Sequence, residues 1–76
     1  MVELPTLMNI RQENNLTSRQ LADAAGVPLR VAYLAEIGGL VEEIDAKLLL
    51  EALSKLSGKQ YTLNTVQMNV KWRQPL

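Results

Sequence analysis

The chain has 76 residues with eight basic and eight acidic side chains, and it contains neither cysteine nor histidine. This length suits a single domain, residues 1–76, which at this size buries only about 60% of its unfolded surface. The missing residue types exclude disulfides, thiol chemistry and the usual zinc sites. We find no apolar stretch long enough to span a bilayer and no signal peptide in residues 1–6. Small secreted domains often carry disulfides, so the composition favours a cytoplasmic protein.

The zero net charge counts mildly against nucleic-acid binding, for which a basic balance is expected. The charges are nevertheless distributed unevenly along the chain. Residues 36–45 contain four acidic side chains and no base, whereas residues 46–76 contain five bases against Glu51 alone. The neutral total can therefore conceal a basic face.

Two short helices are predicted in the first third of the chain. The first covers residues 6–14, beginning at a threonine cap and ending at two asparagines, which tolerate left-handed geometry. The second covers residues 18–25, where Thr17 and Gln20 have the spacing of a capping box. Gly26 then suits the left-handed conformation in which a helix ends.

Two further helices are predicted in the middle of the chain, and together with the first two they form a helical core over about residues 6–58. Pro28 suits the first position of a third helix, which runs to about Ile37 before two glycines break it. Residues 40–44 are expected to be a connector. Asp45 is then the expected cap of a fourth helix, residues 46–57, with a broad apolar face.

The C-terminal tail, about residues 61–76, has a different pattern. Over residues 66–73 apolar and polar side chains alternate, which predicts a short half-buried strand. Its partner is either the N-terminal stretch around Val2 and Leu4 or the same strand of a second copy. We expect antiparallel pairing with a second copy, so that the dimer contacts are the apolar residues of the alternation, Val66, Met68, Val70 and Trp72.

The stretch from Thr17 to Glu36 predicts a helix-turn-helix, in which two short helices cross steeply with a three- to four-residue turn between them. Ala22 must be small because the next helix passes close to it, and Gly26 provides the positive φ that the turn needs. Such a turn lets the N-terminal end of the third helix enter a DNA major groove. The residues expected in the core between the helices are Leu21, Ala25, Val27, Ala32 and Ala35.

The sequence LTSRQLADAAGVPLRVAYLAEIGG, residues 16–39, resembles the Cro/repressor-type (XRE family) helix-turn-helix domains, and the likeness extends over about residues 7–58. Glu36 stands where many members carry an acidic residue before a glycine-containing turn. The resemblance implies a mainly α, lambda repressor-like bundle of four to five helices, here with a short C-terminal strand. It also implies a transcriptional regulator that binds double-stranded DNA.

By the same resemblance, Ser18 contacts a phosphate and the early outward residues of the third helix read bases. Arg30 can pair with a guanine edge or face a phosphate, and Leu29 can contact a thymine methyl or belong to a protein–protein patch. The chain departs from the family in its apolar reading positions and in having Pro28 where a serine or threonine cap is usual. The expected DNA-contacting residues are Thr17, Ser18, Arg19, Pro28, Leu29, Arg30, Tyr33 and Leu34.

We therefore expect a non-enzymatic regulator that binds specific DNA sequences as a homodimer, with no cofactor and no small-molecule substrate. No nucleophile–base pair and no cofactor cradle can be assembled from the sequence. The acidic run at residues 42–45 is better explained by a helix cap and a solvated connector than by a metal site or paired-carboxylate chemistry. The alternative function is a protein-interaction module that uses the apolar face of the third helix, Leu29, Val31, Leu34 and Ile37.

Overall fold

The computed structural model describes residues 3–71, and the mainly helical fold with a short strand near the C-terminus is confirmed there. Short connections separate the first three helices, whereas a longer segment, residues 58–68, leads from the last helix to the last strand. None of the helices in this described part is long and apolar enough to cross a membrane. In chain order the elements are α1 (Leu7–Glu13), α2 (Ser18–Ala25), α3 (Leu29–Glu36), β1 (Leu40–Glu42), α4 (Glu43–Ser57) and β2 (Asn69–Lys71).

Capping residues define the start of α1 and both ends of α2, as expected. The Thr6 hydroxyl accepts a hydrogen bond from the Asn9 backbone N–H at 3.1 Å. At the start of α2, Thr17 and Gln20 form the expected capping box, each side chain accepting a hydrogen bond from the other residue's backbone N–H. Gly26 ends α2 with a φ of 73°, in the left-handed region.

The fourth helix begins earlier than expected, so the prediction that Asp45 caps it is wrong. The helix α4 starts at Glu43, and Glu42 occupies the cap position with extended backbone and no side-chain capping bond. The reason is that residues 40–42 form strand β1 instead of a connector, and this strand leads directly into the helix. Asp45 lies instead in the first turn with Glu43, where carboxylates interact favourably with the positive end of the helix dipole.

The C-terminal strand is present, but the expected antiparallel partner is corrected by the structure. Strand β2 pairs with β1 of the same chain, in parallel, so that Val41 lies opposite Val70 and Glu42 opposite Lys71. Parallel strands need a long crossover, and here α4 with the segment that follows it provides one. The N-terminal stretch also contacts the tail, through a single bridge that includes a Gln67 N–H bond to the Pro5 carbonyl at 2.9 Å.

The core is built from leucines that are filled in by alanines at the helix contacts. Ala22 and Ala32 are almost fully buried, which lets α2 and α3 approach closely. Val66, from the segment before β2, is 1% exposed and closes the core from the C-terminal side. The largest side chains that are essentially inaccessible to solvent are Leu7, Ile10, Leu21, Leu49, Leu53 and Val66.

Gly26 allows a test of the turn between α2 and α3. A β-carbon added there would meet no atom within 4 Å, so only the positive φ opposes a side chain. We expect Gly26→Ala to lower the free energy of unfolding by about 1 kcal/mol, because left-handed geometry is costly for alanine. Gly26→Asn should cost less, since asparagine tolerates this region. Urea denaturation measures both, and equal losses for the two variants would contradict the backbone explanation.

Candidate nucleic-acid interface

The connection between α2 and α3 is a short turn that is fixed by the backbone and by the core. The N–H groups of Gly26 and Val27 both donate to the Ala22 carbonyl, at 2.9 and 3.1 Å. The Val27 side chain is buried in the core, and Pro28 is held at a φ of −60° immediately before α3. Pro28 therefore occupies the cap position and not the first helical position, and α3 begins at Leu29.

A buried ion pair holds the other end of α3 against α1. The Arg11 Nε donates to Glu36 Oε1, and the Arg11 Nη1 donates to the Leu16 carbonyl at 2.7 Å. The Glu36 side chain is only 2% exposed, and its Oε2 has no hydrogen-bond partner among residues 3–71. One arginine thus joins α1, the loop before α2 and the last residue of α3, a role for Glu36 that sequence reasoning missed.

Three side chains of α3 and that of Ile37, the residue that follows it, form an outward face, and the three from α3 belong to the expected DNA contacts. Residues 30, 33, 34 and 37 recur at the spacing of one helical face, and all four are exposed. Tyr33 is 52% exposed and Leu34 is 40% exposed. Leu29 is half-buried and packs against the core, so it contributes less to this face than expected.

The expected contacts at the start of α2 are divided between the surface and the core. Arg19 is exposed, whereas Ser18 is buried, with 8% of its surface accessible. The Thr17 hydroxyl is occupied by the Gln20 N–H at 3.0 Å, so its first role is to cap the helix. The backbone N–H groups in the first turn of a helix have no carbonyl acceptor within that helix, because no turn precedes them. Such N–H groups favour the binding of an anion.

Three of the four described bases in the C-terminal half pair with acids on the surface. Lys47 lies 3.3 Å from Glu43, and Lys55 lies 3.5 Å from Glu51. Lys71 lies 3.9 Å from Glu42 across the strand pair. Near the α2–α3 turn the exposed bases are Arg19 and Arg30, neither of which has an ion-pair partner within residues 3–71.

The residues expected to form a dimer strand pack largely against their own chain. Val66 is a core residue, which leaves no surface for contact with a second copy. Met68 and Val70 are partly buried against the same core. Trp72 lies outside the described residues.

The acidic run at residues 42–45 shows no metal-binding arrangement. Within residues 3–71 no group of three or more carboxylates is arranged so that it could hold a metal ion. Glu42 and Glu43 are instead the surface partners of Lys71 and Lys47.

Comparisons of the chain with protein-family models, curated proteins and solved structures found no match. The likeness to Cro/repressor-type domains therefore rests on residues 16–39 themselves and stays a prediction. What the structure adds is the position of these residues on two adjacent helices with a tight turn between them.

The ion pair behind α3 is tested by removing one partner and then both. Arg11→Met leaves the Glu36 carboxylate buried without its cation, and we expect a loss of about 3 kcal/mol in unfolding free energy. The double variant Arg11→Met/Glu36→Leu should recover most of this loss, because no buried charge remains.

The control for this pair is Lys55→Met, which removes an ion pair of the exposed surface of α4. It should change stability by less than about 0.5 kcal/mol. Urea denaturation compares the three variants with the wild type. The interpretation fails if Arg11→Met is no more destabilising than the control.

Proposed function

We propose that the chain is a cytoplasmic transcriptional regulator that binds specific sequences of double-stranded DNA with α3 in the major groove. The observation that carries the proposal is the outward face of α3 with Arg30, Tyr33 and Leu34, presented next to a tight turn and to the start of α2. A major groove about 12 Å wide admits one α-helix together with its side chains.

On this proposal, each residue of the face has a contact suited to its chemistry. The Arg30 guanidinium pairs with the O6 and N7 acceptors of a guanine, which is the commonest specific contact. Leu34 packs on a thymine methyl, and the Tyr33 hydroxyl donates to a phosphate or to a base edge. This set of base contacts differs from that of the Cro/repressor-type domains that the sequence resembles, because Tyr33 is aromatic and Leu34 is aliphatic.

Phosphate contacts are proposed for the start of α2. Arg19 supplies the charge, and the backbone N–H groups of Ser18 and Arg19 supply hydrogen bonds at the positive end of the helix dipole. Since Ser18 is largely buried, it contributes mainly through its backbone N–H. Among the described residues, Arg19 and Arg30 are the exposed bases near the turn. If both neutralise phosphates of a random duplex, the dependence of log K on log salt should have a slope of about −2 for each bound copy.

A homodimer fits this proposal because one such module makes few base contacts. Two copies related by a two-fold axis double the contacts on half-sites about one helical turn apart.

The DNA proposal is tested by fluorescence anisotropy of a labelled random-sequence duplex, titrated with protein at low and at moderate salt. We expect binding at low salt and release as salt rises. Arg19→Ala and Arg30→Ala should each weaken binding about threefold or more and make the salt slope shallower by about one.

The matched control for this titration is Lys47→Ala. It also removes one positive charge, but the groove that it lines contains no described residue of α2 or α3. It should bind as the wild type does. Absence of wild-type binding at tens of micromolar and low salt, where non-specific binding normally appears, would overturn the proposal.

The second candidate is a protein-interaction module, favoured by the exposure of Leu34 and of Ile37, which is 72% exposed. The other two residues of the expected apolar face, Leu29 and Val31, are half-buried against the core, so the face available to a partner is smaller than the sequence indicates. Binding of this kind would be nearly independent of salt, unlike binding through phosphates.

A further inference from the structure

The outward face of α3 combines a cationic side chain with an apolar one, one helical turn further along. Arg30 and Leu34 are four residues apart, so they lie on the same side of the helix, about 6 Å apart along its axis. Both side chains are exposed. Arginine offers only hydrogen-bond donors, whereas leucine offers neither donor nor acceptor. The pair therefore suits hydrogen-bond acceptors at one position of a ligand and an apolar group at another.

The Leu34 side chain rests on Gly39, in the turn that follows α3. A β-carbon added to Gly39 would overlap Leu34 Cδ1 and lie 2.7 Å from Leu34 Cγ, so the leucine occupies space that any other residue would need. The Gly39 N–H also donates to the Leu34 carbonyl at 2.8 Å. Glycine at position 39 thus holds Leu34 in this place and still leaves it 40% exposed.

The charges around Leu34 indicate on which side it can meet DNA. Leu34 borders a shallow depression that Glu42, Asp45 and Lys71 also line, and the two carboxylates outnumber the single base. Such a site repels phosphates. Arg30 does not line this depression, and its charge attracts them. We therefore expect DNA to contact Leu34 on the side that it shares with Arg30.

In the major groove, the apolar group within reach of a leucine is the methyl group on C5 of a pyrimidine. Thymine and 5-methylcytosine carry this group, whereas uracil and cytosine do not. Leu34 forms no hydrogen bond, so it does not distinguish the O4 acceptor of thymine from the N4 donor of cytosine. The neighbouring Tyr33 hydroxyl both donates and accepts, so it suits either group.

We propose that α3 reads the 5-methyl group of a pyrimidine close to a guanine, and that methylation of a cytosine at this position strengthens binding. Arg30 binds the guanine and Leu34 the methyl group. Their separation along the helix corresponds to about two steps of 3.4 Å along a DNA strand. The inference rests on the proposed function and names its target, because the recognised feature is the methyl group and not the base that carries it.

The experiment begins with selection of the bound sequence from a random duplex pool, and we expect a guanine with a thymine within about two base pairs. Each such thymine is then replaced by deoxyuridine, which removes only the methyl group, and by cytosine with and without its 5-methyl group. Fluorescence anisotropy measures the affinities. At the position that Leu34 reads, each methyl group should strengthen binding about fourfold, the factor that burial of one methyl group implies.

Leu34→Ala should reduce this methyl preference to nearly one, while the salt-dependent binding of a random duplex remains. Gly39→Ala should fold, because the added methyl group meets mainly the end of a flexible side chain, but it displaces Leu34 and should lower the preference below about twofold. The control is Leu56→Ala, which truncates a leucine that is 43% exposed on α4 and should keep the full preference. Circular dichroism checks that all three variants fold.

The guanine contact is tested separately with 7-deazaguanine, which lacks the N7 acceptor. It should weaken wild-type binding about fivefold or more and leave the affinity of Arg30→Ala unchanged.

The inference is overturned if no sequence with this guanine and thymine is enriched, or if the methyl groups leave the affinity unchanged. A methyl preference that survives Leu34→Ala also overturns it, and so does a preference for thymine over deoxyuridine without one for 5-methylcytosine over cytosine. In each of these cases, salt-dependent binding of a random duplex would still support the proposed function. A wild type that binds no duplex at low salt overturns both.

Discussion

The position of α3 depends on the buried ion pair between Arg11 and Glu36. A carboxylate that is 2% exposed is strongly unfavourable without a cation, so the fold must keep Arg11 beside it. Because the same guanidinium also binds the Leu16 carbonyl, α1 and the loop before α2 are held to the end of α3. The turn after Gly26 fixes the opposite end. With both ends fixed, the helix can present only one face to the solvent.

The parallel strand pair has a similar effect on the C-terminal half of the chain. Val66 fills the core, and the backbone then continues beside β1, where the Asn69 side chain donates to the Gly38 carbonyl at 2.8 Å. This contact joins the tail to the turn that ends α3. It also brings Lys71 next to Glu42, although these two residues are far apart in the sequence. The tail therefore builds a surface on its own chain, in contrast to the pairing between copies that its alternating pattern indicates.

The two ends of α3 are chemically different. Arg30 near the N-terminal end of α3, and Arg19 of α2, have no ion-pair partner within residues 3–71, whereas Leu34 towards the C-terminal end of α3 is an apolar side chain that is 40% exposed. Lys47, Lys55 and Lys71 each form an ion pair with an acidic side chain on the surface. On these proposals the shape and hydrogen bonding of α3 must supply a large share of DNA recognition, since the neutral chain provides little long-range attraction.

The sequence by itself determined the local structure. The capping box at Thr17, the left-handed glycine at position 26 and the helical spacing of Leu21 and Ala25 within α2 depend on neighbours within a few residues, so they could be predicted. The outward positions of Arg30 and Tyr33 followed from the same periodicity. The tertiary structure alone decided that residues 40–42 form a strand, that Glu36 binds Arg11, and that Lys71 meets Glu42. These contacts join residues far apart in the chain, and the period of a short strand does not specify which edge it will pair with.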